Sequence, residues 1–162
     1  MATKQIDPEA ANEELQQYLF HLADNQEEFT EKLQSSGYDL NYGLDNLPEL
    51  ERYIGDMGER IAWKNKAESA AILRLGVWSY IGETFRKNFG GGWVVSLDDP
   101  ASINYGKWVI SGFGKLGLEF DPLGTMISFL LRGKPSVRSM MESYVHIVPL
   151  DLSHLPEEEE PS

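Results

Sequence analysis

The sequence has no cysteine among its 162 residues. A disulfide framework, a thiolate zinc site and a cysteine nucleophile are therefore excluded. Basic residues are few, since 14 Lys and Arg stand against 26 Asp and Glu, which gives a net charge of −12. A protein that wraps duplex nucleic acid needs a clustered basic surface, so we expect no nucleic-acid partner.

Long apolar runs are also missing from the sequence. No stretch reaches the roughly 18 apolar residues that a membrane-spanning helix needs. The first residues, MATKQIDPEAANEE, lack the apolar core of a signal peptide. We therefore expect a cytoplasmic protein without membrane contact. Hydrophobic residues make up 41% of the chain, which is enough to bury a core at this length.

Patterns that would hold a metal or a nucleotide are not found either. The three histidines His21, His146 and His154 are far apart and form no His-x-x-x-His pair. The run Gly90–Gly92 follows a predicted helix, whereas a phosphate-binding loop precedes one. No Gly-x-Ser-x-Gly motif is present. The sequence therefore predicts no metal, no cofactor and no enzymatic activity.

The negative charge is concentrated at the two ends of the chain. Residues 1–36 carry a net charge of −6 and residues 148–162 carry −5. One interpretation is that these charges keep the protein soluble. The other is that they form a surface for a basic partner. The candidate contacts in the first helix are the acidic residues that fall outside its apolar stripe: Asp24, Glu27, Glu28 and Glu31.

A helix is predicted to begin at Asp7-Pro8-Glu9, where aspartate can cap and proline suits the first helical position. Apolar residues then recur at spacings of three and four up to Leu33. The spacing is interrupted at Asn25-Gln26. The segment is therefore either one helix to about Ser35 or two helices that break at Asp24-Asn25.

The remaining pattern indicates an α+β fold in a single domain over residues 1–148. A short helix from Pro48 to about Met57 precedes a central apolar helix over residues 59–89. Three short strands of one antiparallel sheet follow, and further helices begin at Asp121-Pro122 and Ser136. Residues 149–162 form an acidic tail that we expect to be flexible. The predicted strands are Trp93–Val95, Lys107–Ile110 and Leu116–Phe120.

Glu83 is the acidic residue of most interest, because it lies within the central apolar helix. Arg86 and Lys87 follow at the spacings that favour ion pairs on a helix. Three roles are open: a surface ion pair, a buried carboxylate that accepts backbone N–H groups at the start of the first strand, or a catalytic acid.

The residues around Glu83 form a short sequence motif. It reads Tyr-x-Gly-Glu, then a basic residue, then Gly-Gly-x-Trp, and it resembles a motif of small uncharacterised bacterial domains. That resemblance implies a structural motif, and some of those domains are thought to be immunity or accessory proteins of toxin systems. The matching positions are Tyr80, Gly82, Glu83, Arg86, Gly90, Gly91 and Trp93.

The leading hypothesis is a non-enzymatic binding protein, an immunity-type inhibitor that covers the basic rim of a bacterial toxin with its acidic surface. The alternative is a cytoplasmic accessory or adaptor protein, which could dimerise through an exposed aromatic patch. A mimic of nucleic-acid charge or an enzyme ranks below these two. The oligomeric state stays open. The candidate contacts on the aromatic patch are Trp93, Tyr105 and Trp108.

Overall fold

A computed structural model describes residues 5–63, 76–114 and 116–146. This part of the chain is α+β and mostly helical, with five helices and one two-stranded antiparallel sheet. A single 3₁₀ turn, Leu44–Asn46, precedes the second helix. The elements in chain order are α1 (Pro8–Ser35), α2 (Leu47–Trp63), α3 (Ser79–Phe89), β1 (Gly92–Val95), β2 (Trp108–Ser111), α4 (Pro122–Arg132) and α5 (Val137–Val145). The predicted tail, residues 149–162, lies outside the described residues.

α1 is one continuous helix, so the open choice between one helix and two is settled in favour of one. The Asp7 carboxylate accepts a hydrogen bond from the backbone N–H of Glu9 at 3.1 Å, which confirms the predicted cap. The interruption of the apolar spacing at Gln26 does not end the helix. Its side chain is buried and donates to the backbone carbonyl of Gly76 at 3.2 Å, so a polar residue occupies a core position with a partner.

Two helix boundaries differ from the prediction. The helix expected to end near Met57 continues through Gly55 to Trp63, so residues 59–63 belong to α2 and not to the central helix. The central helix is described from Ser79 onward, and residues 64–75 of its predicted range lie outside the described residues. A glycine with open space around it weakens a helix by about 1 kcal/mol without ending it.

The predicted third strand is wrong. β1 and β2 pair along four residues each, but residues 116–120 contribute only one isolated bridge. Phe120 exchanges two backbone hydrogen bonds of 2.9 Å with Ile110. Gly117 adopts a left-handed φ of +64°, and Asp121 directly after the bridge begins the cap of α4. Pairing cannot extend in either direction because the backbone turns away at both sides.

The core is centred on α3, as the all-round apolar pattern predicts. Tyr80, Ile81 and Phe85 are fully buried, and α1, α4 and the sheet pack around them. The predicted caps of the last two helices are confirmed. Asp121 accepts from the N–H of Gly124, and Ser136 accepts from the N–H of Ser139.

Gly82 on α3 allows the close approach of β1 and α4. A Cβ atom at this position would overlap the ring of Trp93 and would lie 3.3 Å from Cγ of Pro122. We expect Gly82→Ala to destabilise the protein by roughly 1–3 kcal/mol, the usual cost of overpacking. Gly55→Ala is the control, because nothing lies within 4 Å of its Cβ position. The control should stabilise α2 by up to about 1 kcal/mol. Chemical denaturation of both variants measures the difference, and equal effects would contradict the packing role of Gly82.

Candidate functional site

The glycines of the motif turn the chain from α3 into β1. Gly90 and Gly91 have φ values of +91° and +87°, in the left-handed region that favours glycine. A Cβ atom at Gly91 would lie 2.6 Å from the backbone oxygen of Ser111 on β2. This part of the motif therefore serves the helix-to-strand turn, and it leaves Trp93 on β1 facing back toward α3.

Glu83 is buried and holds this junction through its carboxylate. Its oxygens accept two hydrogen bonds from Arg86, at 3.0 and 2.7 Å, and one from the indole N–H of Trp93 at 2.9 Å. The predicted ion pair with Arg86 is present, but it is not a surface pair on the Glu83 side, because only 6% of Glu83 is exposed. The interpretation as a buried carboxylate fits, although its hydrogen-bond donors are side chains and not the backbone N–H groups that the sequence suggested.

The surroundings of Glu83 keep its carboxylate ionised. Burial raises the pKa, but the hydrogen bonds from Arg86 and Trp93 outweigh that effect and hold the pKa below its usual value of 4.5. Lys87 lowers it further through its charge, without an ion pair. A charged group that accepts three hydrogen bonds is arranged for holding neighbouring elements together.

Tyr80, at the start of the motif, fixes the loop before α2. Its hydroxyl accepts the backbone N–H of Tyr42 at 2.9 Å, while the Asn88 side chain donates to the Tyr42 carbonyl at 2.8 Å. Tyr42 has a left-handed φ of +63°, which is uncommon for a bulky residue. The Lys87 ammonium lies 4.0 Å from the centre of the Tyr42 ring, so Lys87 makes a cation–π contact and no ion pair with Glu83.

The predicted aromatic patch is largely part of the core. Trp93 is only 8% exposed, which leaves little of its surface for a partner. Trp108 is half-buried and stacks on Trp78, with ring centres 5.6 Å apart. Tyr105 is half-buried on the loop between the strands, where its hydroxyl accepts the N–H of Ile6 at 3.4 Å.

The four predicted acidic contacts lie together on the outer face of α1. Asp24, Glu27, Glu28 and Glu31 are all exposed. At 3.6 residues per turn they lie opposite the buried stripe that runs from Leu15 to Leu33. None of the ion pairs among the described residues uses a carboxylate of α1. These four carboxylates therefore present their charge to solvent.

Phe20 was missed as a candidate, although it lies on this acidic face. It precedes Asp24 by one turn, and 81% of the residue is exposed. Its ring packs edge-to-face against the ring of His21, with centres 5.0 Å apart. The sequence could have identified it, because Phe20 is an aromatic residue outside the apolar stripe of α1. We call Phe20, Asp24, Glu27, Glu28 and Glu31 the α1 face.

Comparison with known proteins assigns the chain to no family. No family model, no curated protein and no solved structure matches the chain. In the described residues, no group of three His, Asp or Glu side chains is placed to hold a metal ion. None of the helices in that part of the chain has both the length and the apolar character needed to cross a bilayer.

The role of Glu83 can be tested by two substitutions. Glu83→Ala leaves the buried indole N–H of Trp93 without an acceptor and should cost roughly 1–3 kcal/mol. Glu83→Gln keeps a side-chain oxygen for Trp93 and should cost less. Chemical denaturation at neutral pH measures both. A neutral effect of Glu83→Ala would contradict the junction role.

We also expect the stability that Glu83 contributes to depend on pH. Because the folded-state pKa of Glu83 lies below its usual value of 4.5, its ionised form stabilises the protein fully above that value. This contribution is lost as the pH falls through the folded-state pKa. The stability difference between the wild type and Glu83→Gln should therefore shrink on acidification from pH 7. A constant difference would show that the charge of Glu83 contributes nothing.

Proposed function

We propose that this protein is a non-enzymatic binding protein that acts through the α1 face on a basic protein partner. The observation that supports this proposal is a group of exposed carboxylates on one side of α1 that form no ion pair with any described residue, with Phe20 next to them. Elsewhere, acidic residues such as Asp45, Glu49 and Glu83 are paired with arginines. Unpaired charge of one sign accelerates the approach of a partner of opposite charge.

Phe20 gives the α1 face a feature that a merely solvated surface does not need. Phe20 lies at the N-terminal end of this face, one turn before Asp24, and a large aromatic side chain that a partner buries can supply much of the binding energy. Phe20 contributes nothing to the core, because it is 81% exposed and points away from it. A partner with an apolar pocket beside a basic surface would bind this side chain and neutralise the carboxylates that follow it along α1.

The kind of partner is suggested by the resemblance of the motif around Glu83 to domains of toxin systems. An enzyme that acts on an anionic substrate has a basic rim around its active site, and an acidic helix can cover such a rim. We therefore propose an immunity-type inhibitor of a bacterial toxin as the biological role. The aromatic patch supports the adaptor alternative less well, because Trp93 is buried and half-buried Trp108 stacks on Trp78 of the core.

Charge reversal on α1 tests this proposal. A partner is first captured with the full chain from the source organism, and its association rate with the purified protein is measured. Glu27→Lys, Glu28→Lys and Glu31→Lys together should slow association by about tenfold or more at low salt. Folding should survive, because exposed charge changes stay within about 0.5 kcal/mol. The loss should diminish as added salt screens the charges.

The matched control reverses three glutamates of the acidic tail, Glu157, Glu158 and Glu159. This control changes the net charge by the same amount but leaves the α1 face intact. Slower association for the α1 variant alone supports the proposal. An equal loss in both variants would show that net charge, and not the α1 face, sets the rate, and unchanged kinetics in the α1 variant would exclude the face altogether.

Phe20→Ala should act on the lifetime of the complex. Removing the aromatic contact at the N-terminal end of the face should raise the dissociation rate by about tenfold or more, with a small effect on association. Leu131→Ala is the control, because Leu131 is 79% exposed on α4 and lies outside the α1 face. Surface plasmon resonance distinguishes the two. Equal dissociation rates for both variants and the wild type would remove Phe20 from the contact.

A further inference from the structure

A groove with a mostly polar lining lies between α4, α5 and the loop that joins the two strands. Its volume is about 370 Å³. Small-molecule sites in proteins occupy roughly 300–1,000 Å³, so the groove has the size for a small ligand. Asn104 and Lys107 line it from the loop, Asp121 and Ser128 line it from the cap and the middle of α4, and Tyr144 lines it from α5.

An ion pair joins the loop to the start of α4 within this groove. The Lys107 Nζ atom lies 3.0 Å from Oδ2 of Asp121, and Oδ1 of Asp121 accepts the backbone N–H of Gly124 at 3.0 Å. Only 7% of Asp121 is exposed, so burial and both contacts fix its carboxylate. An ammonium group has three donors and a carboxylate has about four acceptor sites, so each group can form further hydrogen bonds. The pair therefore presents a donor and an acceptor side by side.

Three uncharged polar side chains add hydrogen-bonding groups to this ion pair. The Asn104 amide, the Ser128 hydroxyl and the Tyr144 hydroxyl line the groove and have no hydrogen-bond partner among the described residues. Burial and the charge of Asp121 raise the pKa of Tyr144, so its hydroxyl stays protonated at neutral pH. All three groups can both donate and accept. The groove therefore matches a ligand that is rich in groups of the same kind.

Two apolar side chains complete the lining. Ile103 on the loop is 87% exposed, and Met140 on α5 is half-buried. A ligand that covers Ile103 removes apolar area from water, which favours binding. A few convergent polar groups beside apolar contacts are typical of sites that bind small molecules.

We propose that this groove binds a single neutral sugar ring. Two neighbouring hydroxyls of the ring face the ion pair, where one donates to the Asp121 carboxylate and the other accepts from the Lys107 ammonium. The remaining hydroxyls bind the three uncharged polar groups. The C–H groups of the ring contact the two apolar side chains.

The ion pair favours a neutral ligand over a charged one. Because the charges of Lys107 and Asp121 lie 3.0 Å apart, their effects largely cancel for a ligand that touches both. An anion that Lys107 attracts is repelled by Asp121 and by the net charge of −12. A cation that Asp121 attracts is repelled by Lys107. Two neighbouring hydroxyls gain from both groups, since a hydroxyl can donate or accept.

Titration of the isotope-labelled full chain with methyl glycosides of glucose, galactose and mannose, followed by NMR, tests this proposal. At least one of them should shift the amide signals of residues 103–107, 121–128 and 140–144 in a saturable way and leave α1 unshifted. The uronic acid and the amino sugar of the same configuration should bind about tenfold more weakly or worse. No saturable shift with any of the three glycosides, shifts confined to other surfaces, or tighter binding of a charged sugar would overturn the proposal.

Two substitutions connect the binding to the groove. Tyr144→Phe removes the hydroxyl and keeps the ring that packs edge-on against Phe120, with ring centres 5.2 Å apart, and Ser128→Ala removes the second hydroxyl. Each should weaken the binding of the sugar about three- to tenfold, the usual effect of one lost hydrogen bond. Ser139→Ala is the control, because Ser139 is exposed on α5 and does not line the groove. Equal affinities of all three variants and the wild type would overturn the site. These outcomes do not depend on the α1 face or on its partner.

Discussion

The side chain of Trp93 sets the arrangement of α3 relative to the sheet. Its ring fits against α3 only because Gly82 has no side chain at the contact, and its N–H group finds its acceptor in Glu83 on the next position. The packing of the Trp93 ring and the hydrogen bond of its N–H group therefore favour the same position of β1 on α3. A shift of β1 along α3 would bring the ring against a side chain and would leave a buried donor without a partner. Because β1 pairs with β2, the position of Trp93 also determines where β2 lies.

The elements that could be predicted from sequence are those whose signals are local. The caps at Asp7, Asp121 and Ser136 act within three residues, and the apolar spacing of α1 needs no partner to be recognised. The third strand failed because pairing depends on a distant strand. Leu116–Phe120 has the composition of a strand, but Gly117 and the cap of α4 restrict it to one bridge.

The site shows the same division between local and distant signals. Periodicity identified the acidic residues of α1 as exposed, which is how they lie. It could not assign Glu83, because an apolar helix has no polar side on which to place a carboxylate. Its role follows from the hydrogen bond with Trp93, which lies ten residues later on a strand. Gln26 is comparable, since its carbonyl partner Gly76 is fifty residues away.

One side of α1 packs into the core and stabilises the helix, whereas the opposite side bears the negative charge. Six residues from Leu15 to Leu33 are buried, whereas the carboxylates make no ion pair within the described part of the chain. Selection on the outer residues is therefore free of most folding constraints. Substitutions there can change the charge pattern without changing the core.

The fixation of α1 along its length has a further consequence for recognition. Core contacts recur at nearly every turn of the helix from Leu15 to Leu33, so its backbone cannot bend away from the domain. A partner therefore meets a pre-organised surface, and little backbone entropy is lost on binding. Only the side chains on the outer face have to be ordered. Recognition by such a helix resembles the docking of two rigid bodies more than the folding of a loop around its target.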